Sequence, residues 1–106
     1  MVQEISIAQL QEMLESGADL VDVRESEERH GESLEFPSSK HWPLSNFGLY
    51  KTEISQYHPT VFYCSTGMRS AIAAEMAEIW TPQVLFSLRG GMMHEIREKQ
   101  RQQDIR

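Results

Sequence analysis

The residues best suited to chemistry are Cys64 and Arg69, which lie on either side of a short loop of small residues. Cys64 ends an apolar, β-rich run, and an alanine-rich segment of helical character follows the loop. A thiol attacks only as its thiolate, and both a helix N-terminus and a nearby cation lower the thiol pKa. The N–H groups at a helix N-terminus also bind anions. This stretch is therefore predicted to be an anion-binding site that carries its own nucleophile.

The residues of this loop divide into two functional groups. Gly67 lets the backbone N–H groups curl around an anion, and Arg69 offers a planar set of donors to an oxyanion. We assign catalysis to Cys64 and Arg69. Substrate or anion binding is assigned to the other loop residues, Ser65, Thr66, Gly67, Met68 and Ser70. Thiol attack on an electrophilic sulfur or phosphorus atom needs no metal and no cofactor, so none is predicted. The alternative is a buried strand-end cysteine without chemical function.

Charge and composition exclude several classes of protein. The 106 residues include ten basic and sixteen acidic ones, a formal net charge of -6, so neither nucleic acid nor membrane is expected as a partner. The length fits one domain, residues 1–106, with a core of about 5–96 and a polar C-terminal tail. A single cysteine excludes an internal disulfide. Because no signal peptide or apolar membrane span is recognisable, a cytoplasmic location is expected.

Strand and helix patterns alternate along the chain, which predicts an α/β fold with a mostly parallel sheet. Strands are expected at 2–5, 18–23, 60–63 and 83–88, with a shorter one near 41–42. Helices are expected at 7–16, 69–80 and 92–100, the first with Ser6 and Gln9 as a capping box. In the helix 69–80, the inward face is predicted to carry Ile72, Met76, Ile79 and Trp80. The acidic run 25–32 is interpreted as a solvated surface.

Three strand ends should meet at one edge of this sheet, where ligands bind in parallel α/β folds. They carry Asp22 and Arg24, then Cys64, then the turn with Gly90 and Gly91. Asp22 and Arg24 could be catalytic, but we favour a supporting role. In that role one residue caps loop amides and the other pairs with a carboxylate under the site. Gly90 and Gly91 are assigned to the same supporting shell.

Three motifs in this order resemble those of the rhodanese family of sulfurtransferases. Residues 22–25 (Asp-Val-Arg-Glu) resemble its strand-end signature, 64–70 its Cys-x-x-Gly-x-Arg-Ser loop, and 88–91 its Leu-x-Gly-Gly turn. The similarity spans roughly residues 5–96. It implies a three-layer rhodanese-like fold, with a mostly parallel five-stranded sheet and helices on both faces. The chain departs from the family at Leu34 and Glu35, which replace a Gly-His pair.

The resemblance implies sulfur transfer through a persulfide on Cys64. A small anionic donor, thiosulfate or a persulfide, would supply the sulfur, and cyanide, a thiol or a sulfur-carrier protein would accept it. Four residues separate Cys64 from Arg69, the length that the resemblance associates with sulfurtransferases, whereas related phosphatases and arsenate reductases have one more. Such a phosphatase or reductase, or a non-catalytic binding or regulatory module on the same fold, remains the alternative. Because Cys64 is the only thiol, the acceptor must be another molecule.

Overall fold

A single parallel sheet carries the predicted site. The structure, a computed structural model, describes residues 2–29 and 39–94. Within these ranges the strands are β1 (Val2–Ile5), β2 (Asp19–Asp22), β3 (Lys40–His41), β4 (Thr60–Tyr63) and β5 (Leu85–Leu88). They lie in the order β1-β5-β4-β2-β3, and all neighbouring strands are parallel. The predicted α/β fold with a five-stranded sheet is confirmed.

Helices cover both faces of this sheet. They include α1 (Ile7–Glu15), α2 (Ser26–Arg29) and α3 (Met68–Ala77), 3-10 helices at Leu44–Tyr50 and Glu78–Trp80, and a helical segment at 91–94. The predicted capping box of α1 is confirmed, since the Gln9 N–H donates to Ser6 Oγ and the Ser6 N–H to Gln9 Oε1. In residues 2–29 and 39–94, each helix is too short or too polar to span a bilayer. The predictions for Leu34, Glu35 and the chain after residue 94 lie outside the described residues.

The central strand β4 alternates between the two faces of the sheet. Val61 and Tyr63 pack in the cluster that contains Leu10 of α1. Phe62 and Cys64 pack on the other face, with the alanines of α3. All four of these strand-end residues are at most 1% exposed. Because side chains alternate along a strand, the period of two places the thiol on the α3 side of the sheet.

The inward face of α3 differs from the predicted one. Its buried residues are Ser70, Ala73, Ala74 and Ala77. Ile72, Met76 and Ile79 are 49%, 45% and 90% exposed, so their predicted inward orientation is wrong. Trp80 does pack inward, with its ring 4.9 Å from that of Phe47. Small residues on the inner face let the helix approach β4 and β5 closely, and this approach brings its N-terminus to the Cys64 sulfur.

Candidate active site

The Cys64 thiol lies directly after β4, at the carboxyl edge of the sheet, and is fully buried. Its sulfur accepts the backbone N–H groups of Gly67 at 3.1 Å and of Ser70 at 3.4 Å. The hydroxyl oxygen of Ser70 lies 3.6 Å from the sulfur. These N–H groups belong to the first turn of α3 and its cap, where the helix provides them with no acceptor. The N-terminus of α3 therefore points at the sulfur atom.

Burial and hydrogen bonding act on the Cys64 thiol in opposite directions. Burial disfavours the thiolate and raises the pKa of Cys64. Hydrogen bonds from the N–H and hydroxyl groups of Ser70, and from the N–H groups of Gly67 and Thr66, lower that pKa. The hydrogen bonds outweigh burial, and the pKa of Cys64 lies below its ordinary value. The site thus stabilises the thiolate, the form of cysteine that attacks an electrophile.

We expect the Cys64 thiol to titrate below a free cysteine thiol, and Ser70→Ala to raise the Cys64 pKa by removing one donor to the sulfur. The thiolate can be followed by its ultraviolet absorbance as the pH is raised. Cys64→Ser serves as the blank that subtracts the ionisation of tyrosines. A midpoint equal to that of free cysteine, or one unchanged in Ser70→Ala, would contradict the assigned cause.

Arg69 forms a bidentate ion pair with Glu28 of α2. Arg69 Nη1 donates to Glu28 Oε1 at 2.6 Å, and Nη2 donates to Glu28 Oε2 at 2.8 Å. The hydrogen bonds from Arg69 hold the pKa of Glu28 at about 2, and the pKa of Arg69 is raised in turn. The two side chains are 33% and 35% exposed, so the pair lies at the mouth of the site. Glu28 is therefore a partly exposed residue of the acidic run that is held by Arg69.

The other loop residues assigned to substrate binding lie around this mouth. Ser65 is partly buried, and its hydroxyl donates to Glu28 Oε2 at 3.5 Å. Thr66 and Met68 are exposed. The structure therefore places Gly67 and Ser70 at the sulfur and Ser65 beside the ion pair. The side chains of Thr66 and Met68 face solvent next to them.

The turn after β5 packs against the backbone of the Cys64 loop and supports it. The N–H of Met92 donates to the Cys64 carbonyl at 3.0 Å, and the N–H of Met93 donates to the Ser65 carbonyl at 2.9 Å. Gly91 has a φ of 63°, and a Cβ atom built there would lie 2.5 Å from both carbonyl oxygens. Only a residue without a side chain allows the two backbone segments to lie this close. The predicted supporting turn thus contacts the loop directly.

Gly67 makes a second close approach between the loop and the same turn. It caps α3 with a φ of 97°, a conformation that side chains disfavour. A Cβ atom there would lie 3.2 Å from the Gly90 nitrogen and 3.3 Å from the Leu88 oxygen. Gly67 therefore allows the loop to turn its N–H groups toward the sulfur and, at the same time, to pack closely against the end of β5.

Asp22 and Arg24 form a buried ion pair after β2, with side chains 0% and 3% exposed. Arg24 donates to the Asp22 carboxylate through its backbone N–H at 2.9 Å, Nε at 3.1 Å and Nη2 at 3.0 Å. The hydroxyl of Tyr63, which precedes Cys64 in the chain, also donates to Asp22, at 3.1 Å. Asp22 therefore caps the amide of Arg24 in its own turn, and Arg24 pairs with Asp22. Through Tyr63 the pair supports the end of β4.

We expect Asp22→Asn to lower the free energy of unfolding by about 3 kcal/mol, because the buried guanidinium of Arg24 loses its carboxylate. Urea denaturation measures this loss. The control is Glu4→Gln, which breaks the pair of Arg89 with Glu4, whose side chains are 65% and 57% exposed. Exposed pairs contribute little, so this change should cost less than about 1 kcal/mol. Equal losses in the two variants would contradict the structural importance of Asp22.

Comparison with known proteins identifies the family. The family model of the rhodanese-like domain matches residues 6–94. The chain belongs to the rhodanese-like family. The matched range contains all three motifs that carry the resemblance. It also includes Glu28 and Arg69, so the ion pair at the mouth is part of the rhodanese-like domain.

Solved structures of rhodanese-like proteins share this fold. The rhodanese-related protein of Thermoplasma volcanium superposes with a TM-score of 0.75 at 24% identity, over 91% of this chain and 92% of that one. A rhodanese-like domain protein of Staphylococcus aureus gives 0.72 at 25% identity, over 85% and 87%. Reduced CoADR-RHD of Bacillus anthracis gives 0.74 at 25% identity over 87% of this chain, which spans only 16% of that longer chain. No curated protein matches the chain significantly.

This rhodanese-like site contains two residues that the sequence analysis did not single out. Glu28 pairs with Arg69, and nothing distinguished it from the other glutamates of the acidic run. Ser87 of β5 is buried, and its hydroxyl oxygen lies 2.7 Å from that of Ser70. A polar residue within the apolar run 84–88 was a usable signal for Ser87. The Ser87 hydroxyl positions the Ser70 hydroxyl that lies beside the sulfur.

Proposed function

We propose that this rhodanese-like chain is a sulfurtransferase that carries a sulfane sulfur as a persulfide on Cys64. The observation that carries the proposal is the fully buried sulfur atom that accepts the N–H groups of Gly67 and Ser70. These donors stabilise negative charge on the thiol, and they remain in place to stabilise the charge on a persulfide. Membership of the rhodanese-like family supports the same reaction.

The first half of the reaction loads the cysteine. The Cys64 thiolate attacks the outer sulfur of a donor such as thiosulfate, and a new sulfur–sulfur bond forms as the bond in the donor breaks. Sulfite leaves with the electron pair of the broken bond, and the negative charge of the thiolate passes to the persulfide. Covalent catalysis of this kind divides one difficult transfer into two easier steps. No step requires a metal or a cofactor.

The second half unloads the persulfide to an acceptor. A nucleophile attacks the outer sulfur of the persulfide, takes that sulfur, and releases Cys64 as its thiolate. Cyanide serves as this nucleophile in an assay, and a thiol or a sulfur-carrier protein would serve in the cell. Because the chain contains one cysteine, no internal thiol can remove the sulfur. The acceptor must therefore reach the mouth of the site from outside.

The mass of the intact protein tests this function. After incubation with thiosulfate or with glutathione persulfide, we expect the mass to rise by one sulfur atom, and peptide mapping should place that atom on Cys64. Cyanide should remove the added sulfur and release thiocyanate. Absence of the adduct with both donors would overturn the proposal. Hydrolysis of a phenyl phosphate ester that depended on Cys64 would instead identify a phosphatase.

A further inference from the structure

The guanidinium that should attract an anionic donor is already occupied. Both terminal nitrogens of Arg69 donate to Glu28, at 2.6 and 2.8 Å, which is the bidentate geometry that an incoming oxyanion would use. A carboxylate of the chain thus occupies the position where the sulfonate oxygens of thiosulfate would bind Arg69. An incoming oxyanion must displace this carboxylate or approach it at close range.

The Glu28 carboxylate is also fixed by contacts other than Arg69. Its Oε1 accepts the N–H of Glu25 at 3.0 Å, and its Oε2 accepts the hydroxyl of Ser65 at 3.5 Å. The buried Arg24 donates to the Glu28 carbonyl at 3.4 Å and so holds the backbone of α2 in place. Glu28 therefore connects α2 to the Cys64 loop, and a competing anion would have to break several contacts.

Among the described residues, the hydrogen-bond donors at the sulfur serve one negative charge, that of the thiolate. These donors include the N–H groups of Gly67 and Ser70. The pKa of Glu28, about 2, keeps its carboxylate ionised at every pH at which a thiolate forms. The formal net charge of -6 adds no general attraction for anions. A compact dianion that approached Arg69 would thus meet a fixed carboxylate that already pairs with this guanidinium.

We propose that Glu28 is a specificity-determining residue, which makes the site select persulfides carried on an organic thiol over compact dianions such as thiosulfate. This inference rests on the proposed sulfur transfer and names its class of donor. The Cys64 thiolate attacks the outer sulfur of R–S–SH, the bond from Cys64 to that sulfur forms, and R–S⁻ leaves with the electron pair. The proton of the outer sulfur passes to the leaving thiolate, so R–SH is released, Cys64 carries the persulfide anion, and one negative charge is present on each side of the overall step.

Steady-state kinetics with two donors test this role. Rates of thiocyanate formation are measured with thiosulfate and with glutathione persulfide, for the wild type and for Glu28→Gln. Like charges at close range disfavour binding, so we expect kcat/KM of the wild type to favour the persulfide by at least about tenfold. In Glu28→Gln, kcat/KM for thiosulfate should rise about tenfold, and that for the persulfide should change less than about threefold. Glu28→Asp, which keeps a carboxylate, should retain most of the preference.

The matched control is Glu27→Gln, which removes the same charge from an exposed neighbour on α2. It should leave the ratio of the two kcat/KM values unchanged, because Glu27 does not hold Arg69. Three results would each overturn the role of Glu28. They are equal wild-type kcat/KM values for the two donors, an equal loss of activity with both donors in Glu28→Gln, and in Glu27→Gln the same change in the ratio of the two kcat/KM values. Where Glu28→Gln fails to fold, equal wild-type kcat/KM values for the two donors still overturn the proposal, and Glu28→Asp still tests the residue. Sulfur transfer without this preference would leave the proposed function intact, whereas no transfer from either donor would overturn both.

Discussion

Replacing Cys64 by serine is expected to abolish sulfur transfer while the fold survives. A serine hydroxyl fits the space of the thiol and can accept the same N–H groups of Gly67 and Ser70. It does not ionise near neutral pH and cannot form a persulfide, so the covalent step is lost. We expect the rate of thiocyanate formation to fall by at least about a thousandfold, the scale seen when an enzyme loses its nucleophile. The free energy of unfolding should change by less than about 1.5 kcal/mol.

The companion variant for this test is Ser70→Ala, which keeps the nucleophile and removes one hydroxyl beside it. Hydrogen bonds to charged groups contribute about 1.5 to 3 kcal/mol, so the rate should fall by tenfold or more but remain measurable. Mass spectrometry of the Ser70→Ala variant should still show the added sulfur atom. Sulfur transfer that persisted in Cys64→Ser would show that another group is the nucleophile.

The second large effect is expected for Gly91→Ala, which should cost more than about 4 kcal/mol of the free energy of unfolding. A Cβ atom at Gly91 would lie 2.5 Å from the carbonyl oxygens of Cys64 and Ser65 and 2.6 Å from the Ser65 carbonyl carbon. These are backbone atoms, which cannot turn aside as a flexible side chain does. Relief of the overlap must separate the turn from the loop, which moves the sulfur relative to its donors. Sulfur transfer should therefore fall together with stability.

Gly17→Ala is the matched control for this variant. Gly17 has a φ of 98°, and a Cβ atom there would meet nothing within 4 Å. The φ of Gly91, 63°, is nearer the left-handed region that other residues can adopt. Dihedral strain alone would therefore make Gly17→Ala the more costly change, whereas the steric overlap predicts the reverse order. Chemical denaturation of both variants decides between dihedral strain and steric overlap. A larger loss in the free energy of unfolding for Gly17→Ala would contradict the tight contact between Gly91 and the Cys64 loop.

Local sequence determined the elements of this protein because each follows from nearby residues. The apolar runs that end at Asp22, Cys64 and Leu88 are short and rich in β-forming residues, and all three form parallel strands. Ser6 and Gln9 specify the start of α1 through contacts three residues apart. The order of strand, glycine-containing loop and helix also placed the Cys64 thiol at a helix N-terminus.

Packing across the sheet decided what local patterns could not. Apolar periodicity predicted Ile72, Met76 and Ile79 as the inner face of α3, yet the alanines face inward. The distance between helix and sheet determines which side chains fit on the inner face of α3. That distance depends on both partners, so it cannot be predicted from the helix sequence alone. The hydroxyl pair of Ser70 and Ser87 depends on the same close approach.

Pairing between distant segments decided the electrostatics of the site. Cys64 and Arg69 were evident from sequence as a thiol and a cation beside one loop. That Arg69 is held by Glu28, 41 positions away, was not evident, since glutamates of the acidic run 25–32 look alike in sequence. Only the fold brings α2 against the Cys64 loop and selects one of them. The sequence thus determined the nucleophile, and the tertiary structure decided which charge stands beside it and hence which donors the site is expected to accept.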